Sequence, residues 1–172
     1  MNEYTLAQER KETYAAPRPP STQRNRWSRY LPLLLWLVVI WLASSPQMSA
    51  SQTSRFVAPI ARFFYPDISP EALRVVHVAV RKTAHFVEYA VLALIAARAF
   101  LGSRRPLLNR YWFLCAFALV VACSLLDEYH QSLVSSRTGT IYDSLLDMTG
   151  GLIALTVVFL WRATMHKRTP HY

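Results

Sequence analysis

Hydrophobic residues gather in four runs along the chain, at about 31–43, 84–101, 111–126 and 141–161, with polar segments between them. A helix that crosses a membrane needs about 20 predominantly apolar residues. The first run is short, but the flanking aromatic residues Trp27 and Tyr30 extend it to a workable span over residues 27–45. The pattern therefore predicts an all-α, polytopic membrane protein with four transmembrane helices.

A shorter helix is predicted between the first two runs. Residues 51–66 place aromatic and aliphatic side chains at helical spacing and interleave them with arginines. This arrangement is typical of an amphipathic helix that lies on a membrane surface, here the outer one. An ordinary connecting loop with incidental aromatic residues is the alternative.

The second transmembrane helix has a clear start signal. Ser69 suits the N-cap position, Pro70 the first helical position and Glu71 the positive end of the helix dipole. Neither proline nor glycine occurs between residues 71 and 101, and a helix of these 31 residues would be about 46 Å long. Because the hydrocarbon core is only about 30 Å thick, the first part of this helix is expected to project from the membrane. A break near Thr83 is equally compatible with the pattern.

The charge distribution sets the expected topology. The formal net charge is +9, yet 53% of the residues are hydrophobic and the basic residues lie outside the apolar runs. This favours a membrane environment and no nucleic-acid partner. Basic clusters occur in the N-terminal tail, the second loop and the C-terminal tail, which predicts four spans with both termini in the cytoplasm. The long first loop is also basic, and a two- or three-span alternative would leave one basic cluster outside.

Three regions follow from these patterns. Residues 1–26 are polar and proline-containing, and they are predicted to form a disordered basic cytoplasmic tail. Residues 27–162 form the predicted membrane domain, and residues 163–172 a second basic cytoplasmic tail.

Acidic residues concentrate at one end of the predicted bundle. From residue 72 onward all five carboxylates fall within residues 82–89 and 127–147, which the topology places on the same outer face. Charges within membrane helices usually pair with one another or mark a functional path, so we predict an outward-facing polar pocket. Its candidate binding residues are Lys82, His85, Glu88, Tyr89, Asp127, Glu128, Gln131, Arg137, Asp143 and Asp147. Ion pairs that only join helices, such as Lys82–Glu88 or Arg137–Asp143, are the alternative.

Two other kinds of site receive weaker support. The histidines and carboxylates of this region are suitable ligands for zinc or manganese, but no HExxH or comparable spacing occurs, so we predict neither a metal nor another cofactor. Thr149, Gly150 and Gly151 form a small-residue patch that favours close helix contact over phosphate binding.

The same residues carry a family resemblance. The motifs KTAHFVEYAVL (82–92), DEYHQ (127–131), Arg137 and DSLLDMTGG (143–151) resemble, in this order, those of the VanZ-like family of small bacterial membrane proteins. The resemblance covers about residues 31–161. It implies four membrane spans and a multi-pass protein of the bacterial cytoplasmic (inner) membrane. The family is named for a protein that gives low-level teicoplanin resistance, which implies a role in the cell envelope. Met148 and Thr149 depart from the family pattern, which often has an asparagine before the glycines.

Three functions remain open from the sequence. The first is an envelope protein that binds membrane lipids, a lipid headgroup, a cell-wall precursor or a lipid-tailed glycopeptide. The second is a membrane enzyme acting on a lipid-linked or acyl substrate, with Glu128 or Asp143 as general base and His85 or His130 moving protons. The third is a purely structural helix bundle.

Overall fold

The computed structural model describes residues 26–44, 50–132 and 141–166. The described residues form six helices and no strand: α1 Arg26–Ala43, α2 Ala50–Phe64, α3 Pro70–Leu101, α4 Pro106–Arg110, α5 Trp112–Ser132 and α6 Ile141–His166. The all-α prediction is therefore confirmed. The predicted disordered tail over residues 1–26 lies almost wholly outside the described residues, as do Arg137 and most of the C-terminal tail.

Three helices are long and apolar enough to cross a membrane. They are the 32-residue α3, the 21-residue α5 and the apolar part of α6, Ile141–Met165. The apolar part of α1, Ser28–Ala43, falls short of the length of a full span, since its 16 residues measure about 24 Å against a hydrocarbon core of about 30 Å. The multi-pass membrane architecture is thus supported, whereas the fourth span stays a prediction.

Helix α3 is the element on which the others pack, since it contacts α1, α2, α4, α5 and α6. Its N-terminus is capped as predicted, because the Ser69 hydroxyl accepts a hydrogen bond from the backbone N–H of Ala72 at 3.2 Å. The helix runs without interruption through Thr83, so the alternative of a break there is wrong. Twelve residues precede Lys82 within α3, and at 1.5 Å per residue they extend about 18 Å beyond it.

The predicted amphipathic helix is α2, which excludes the loop alternative for this segment. Phe56, Ile60, Phe63 and Phe64 remain exposed on it. Its place on the outer membrane surface stays a prediction.

Small residues bring the three long helices close together. Alanines at 93, 96, 97 and 99 of α3 are buried, beside the larger core residues Leu92, Val120 and Leu155. A Cβ atom on Gly150 would collide with the backbone carbonyl oxygen of Phe86, and one on Gly151 would lie 2.7 Å from Cγ1 of Val120. The glycine pair therefore permits close contact of α6 with α3 and α5, as the sequence predicted.

Two hydrogen bonds and one ring-stacking contact hold helix α1 against the rest of the bundle. The Tyr30 hydroxyl and the Ser103 hydroxyl are 3.0 Å apart, and the Trp36 indole N–H donates to the backbone carbonyl of Glu88 at 3.0 Å. Near the C-terminal end, the Trp41 ring stacks on the imidazole of His130, with ring centroids 4.7 Å apart. Trp36 and Trp41 thus place the C-terminal half of α1 beside Glu88 and His130, whereas Tyr30 is joined to Ser103, just after the C-terminal end of α3.

Candidate polar site at the end of the helix bundle

Two contacts between α3 and α6 join the two segments of the predicted pocket, residues 82–89 and 127–147. Lys82 Nζ lies 3.1 Å from Asp143 Oδ1, and His85 Nδ1 lies 3.9 Å from Asp147 Oδ1. Lys82 and His85 lie three residues apart on α3, and Asp143 and Asp147 lie four apart on α6. The two pairs are therefore stacked one helical turn apart along the contact between the helices. The predicted meeting of the histidine-bearing part of α3 with residues 143–147 is therefore confirmed as geometry.

Helix α5 contributes a third carboxylate from its last two turns. Asp127 and Gln131 are both buried, and the Gln131 amide donates to Asp127 Oδ2 at 3.0 Å. Helix α5 continues through both residues, which lie four positions apart and therefore share a helical face. One ligand-type atom from each of His85, Asp127 and Asp147 lies within 4.8 Å of the other two.

Two serines that the sequence analysis did not single out also belong to this cluster. The Ser124 hydroxyl lies 3.1 Å from the backbone carbonyl of Ser144 and 3.4 Å from Asp147 Oδ2, and it can donate to either. The Ser144 hydroxyl donates to the carbonyl of Ser124 at 3.4 Å. Both serines stand among apolar residues, where they resemble small packing residues. Their spacing was the available signal, because Ser124 precedes Asp127 by three residues and Ser144 precedes Asp147 by three.

Tyr89 and Glu88 lie one turn further along α3. Tyr89 has no exposed surface, its hydroxyl has no hydrogen-bond partner among the described residues, and it lies near Asp127 and Asp147. Glu88 is partly buried and lines a groove of about 670 Å³ between α1 and α3, beside Trp36. Tyr89 therefore belongs to the buried cluster, whereas Glu88 borders it on the side of α1.

Three of the four catalytic candidates share one small cavity. His85, Glu128 and Asp143 line it together with Lys82 and Asp147, and its volume is about 10 Å³. That volume corresponds to roughly one water molecule. His130, the alternative proton carrier, instead packs on Trp41.

A second, apolar groove lies between α1 and α5 and adjoins the cluster at Asp127. Its volume is about 410 Å³, and its apolar lining comes from α1 and α5. Asp127 and His130 provide its polar residues. Asp127 therefore belongs both to the buried cluster and to the wall of this groove.

The ion-pair alternative is partly corrected by these positions. Lys82 pairs with Asp143 across two helices, so the proposed Lys82–Glu88 pair is not the one that the structure contains. The second suggested pair, Arg137–Asp143, stays a prediction, because Arg137 lies outside the described residues.

Comparison with known proteins gives one match. The family model described as VanZ/LLP1 matches residues 30–162, which is more than three quarters of the 172 residues. No curated protein and no solved structure matches the chain significantly. The matched segment contains every residue of the polar cluster and of both grooves.

Proposed function

Because this chain belongs to the VanZ/LLP1 family and carries helices able to span a membrane, we propose that it binds a lipid-tailed molecule of the bacterial cell envelope. The tail would lie in the apolar groove between α1 and α5, and the polar head would meet the cluster at Asp127. A membrane phospholipid, a lipid-linked cell-wall precursor and a lipid-tailed glycopeptide such as teicoplanin all share this chemistry.

The observation that carries the proposal is the position of Asp127. It lines the apolar groove of about 410 Å³, while its carboxylate is held by Gln131 within the buried cluster. Binding sites for small amphiphilic molecules are typically apolar cavities of about 300–1,000 Å³ with a few placed polar groups. The groove meets this description, whereas the cavity of about 10 Å³ beside Glu128 is too small to admit a substrate.

The charges near the groove favour a head that donates hydrogen bonds. Asp127 presents a carboxylate and Gln131 an amide, and both are buried against the bundle. Amine and hydroxyl groups satisfy a buried carboxylate, whereas an unpaired anion beside it would be repelled. Lys82 is already engaged with Asp143.

A pair of adjacent leucines provides the test. Leu126 lines the groove, whereas Leu125 does not belong to its lining, although both side chains are exposed on α5. Purified wild type, Leu126→Trp and Leu125→Trp are titrated in detergent with a phospholipid, a polyprenyl-linked cell-wall precursor and teicoplanin, and the complexes are quantified by native mass spectrometry. The larger ring at residue 126 is expected to weaken binding of the preferred ligand about tenfold, or about 1.4 kcal/mol.

The three ligands separate the possible sources of the tail. Preferential binding of teicoplanin over a glycopeptide without a tail, together with raised teicoplanin tolerance in a susceptible host, would assign the resistance-like role. Equal weakening by Leu126→Trp and Leu125→Trp would refute the groove. If His85→Gln, Glu128→Gln and Asp143→Asn also leave binding and the envelope phenotype unchanged, the purely structural bundle stands instead.

A further inference from the structure

We propose that His85, Asp127 and Asp147 form a binding site for one divalent cation of the zinc or manganese type. The three residues come from α3, α5 and α6, and one ligand-type atom of each lies within 4.8 Å of the other two. No segment of sequence contains the set, which explains why the spacing pattern gave no metal motif. Asp127 is shared with the wall of the apolar groove, but all three ligands come from the protein, so the metal site goes beyond the proposed lipid binding and does not depend on a bound lipid.

The first argument is the chemistry of the donors. One imidazole nitrogen and two carboxylates form a mixed nitrogen and oxygen set, which suits zinc or manganese better than the all-oxygen sites preferred by magnesium and calcium. With metal–ligand distances of about 2.1 Å, neighbouring ligand atoms lie about 3.0–3.4 Å apart. The measured separation between His85 Nδ1 and Asp147 Oδ1 is 3.9 Å. Small rotations of these side chains would therefore bring both atoms onto one ion.

The second argument is an unsatisfied atom that is directed into the site. Asp147 is 3% exposed, and its Oδ1 atom has no hydrogen-bond partner among the described residues. This is the same oxygen that lies nearest to the His85 imidazole. A buried oxygen without a partner is costly unless an ion, a water molecule or a proton satisfies it. The hydroxyl of Tyr89 is also buried and has no hydrogen-bond partner among the described residues.

The third argument is how the two carboxylates are oriented. Gln131 donates to Oδ2 of Asp127, and Ser124 lies within reach of Oδ2 of Asp147. Each acid is thus held through one oxygen by a neighbour on α5. Metal-ligating side chains are typically fixed by such outer hydrogen bonds, which orient the ligating atom and tune its basicity.

The fourth argument is charge balance within the cluster. Asp127 and Asp147 are both almost fully buried, and the one lysine of the cluster, Lys82, is engaged with Asp143 on the more exposed side. Two buried carboxylates at this distance repel each other unless a cation or a proton intervenes. A divalent cation neutralises both at once.

The test measures metal content directly. The full chain is purified in detergent, stripped with EDTA, incubated separately with Zn²⁺, Mn²⁺, Mg²⁺ and Ca²⁺, desalted and examined by elemental mass spectrometry. We expect about one Zn²⁺ or Mn²⁺ per chain and a concentration-dependent rise of the thermal unfolding midpoint, because a ligand that binds only the folded state stabilises it. Retention of Mg²⁺ or Ca²⁺ alone, or of less than a tenth of an equivalent of any ion, would overturn the proposal.

Matched variants assign the ligands. His85→Gln, Asp127→Asn and Asp147→Asn should each lose stoichiometric metal, whereas His130→Ala should retain it because that imidazole packs on Trp41 outside the set. Ser124→Ala should weaken binding about tenfold, the effect typical of a lost outer hydrogen bond. Loss of metal in His130→Ala equal to that in His85→Gln would contradict the assignment.

A spectroscopic measurement on the wild type keeps the proposal testable if a variant fails to fold. Cobalt-loaded wild type should show visible absorption bands that zinc displaces, and X-ray absorption of the zinc form should fit nitrogen and oxygen ligands including one imidazole. A fit without imidazole would refute the site. Lipid binding is measured separately on metal-free protein by the titration described above. Lipid binding without metal retention would refute only the metal site, whereas metal retention without lipid binding would refute only the proposed function.

Discussion

Replacing Gly150 with alanine tests the closest contact in the bundle. An added Cβ would collide with the carbonyl oxygen of Phe86 and would also lie 3.2 Å from its carbonyl carbon and from one of its ring carbons. Because the principal obstacle is backbone of α3, a change of rotamer cannot relieve it. Helices α3 and α6 must therefore move apart by a few tenths of an ångström or more.

The magnitude follows from the loss of packing along that interface. A radial gap of about 0.5–1 Å forfeits roughly a quarter to a half of the attraction of each contacting atom pair. Overpacking of this kind typically costs about 1–3 kcal/mol, and the better helix propensity of alanine returns about 0.5–1 kcal/mol. We therefore expect Gly150→Ala to lower the free energy of unfolding by about 1–2 kcal/mol.

The assay is reversible unfolding of the purified protein in mixed micelles, driven by SDS and followed by helical circular dichroism. Gly102→Ala is the matched control, because the nearest atom there is Nε of Arg29 at 3.1 Å, the far end of a flexible side chain. Gly151→Ala should fall between them, since it meets a methyl group of Val120, a β-branched side chain with restricted rotation. Equal stability of the Gly150 and Gly102 variants would refute the close contact between α3 and α6.

Three further predictions concern single contacts. The pair Lys82→Met and Asp143→Asn should show a coupling free energy of about 0.5–1 kcal/mol in a double-mutant cycle, because the 3.1 Å pair is partly exposed to screening; coupling indistinguishable from zero would contradict that contact. Trp36→Phe should lower stability by about 1 kcal/mol through the lost hydrogen bond to Glu88, and a shift equal to that of a phenylalanine replacement at the exposed Trp161 would count against it. Ser69→Ala should cost about 1 kcal/mol and speed hydrogen exchange in the first turn of α3, whereas unchanged exchange there would exclude the cap.

Much of the secondary structure was predictable because its signals are local. The cap at Ser69, the absence of proline and glycine up to residue 101 and the helical spacing of the aromatic residues after residue 50 each act within a few turns. The third apolar run ends at residue 126, but α5 continues to Ser132, because its polar last turns pack against the bundle.

The sequence predicted which residues form the polar site, but it did not determine which of their side chains contact one another. The concentration of carboxylates at one end of the predicted bundle identified the region and its two segments, residues 82–89 and 127–147. Which acid meets which base depends on how far each helix is rotated and shifted along its neighbour, and residue spacing within a single helix carries no such information. From the sequence, Lys82, His85 and Arg137 were all open as partners of Asp143 and Asp147. The tertiary structure pairs Lys82 with Asp143 and His85 with Asp147.

The sequence by itself determined that this chain forms apolar helices, that its carboxylates share one end of them and that two adjacent glycines favour close packing. The tertiary structure decided which side chains meet there. It placed Asp127 between an apolar groove and the buried cluster, brought Ser124 beside Asp147, and gathered His85, Asp127 and Asp147 from three helices. The physical reason is that helix formation and capping depend on near neighbours in the chain, whereas a site built across helices depends on the packing of small residues such as Gly150 against a distant backbone.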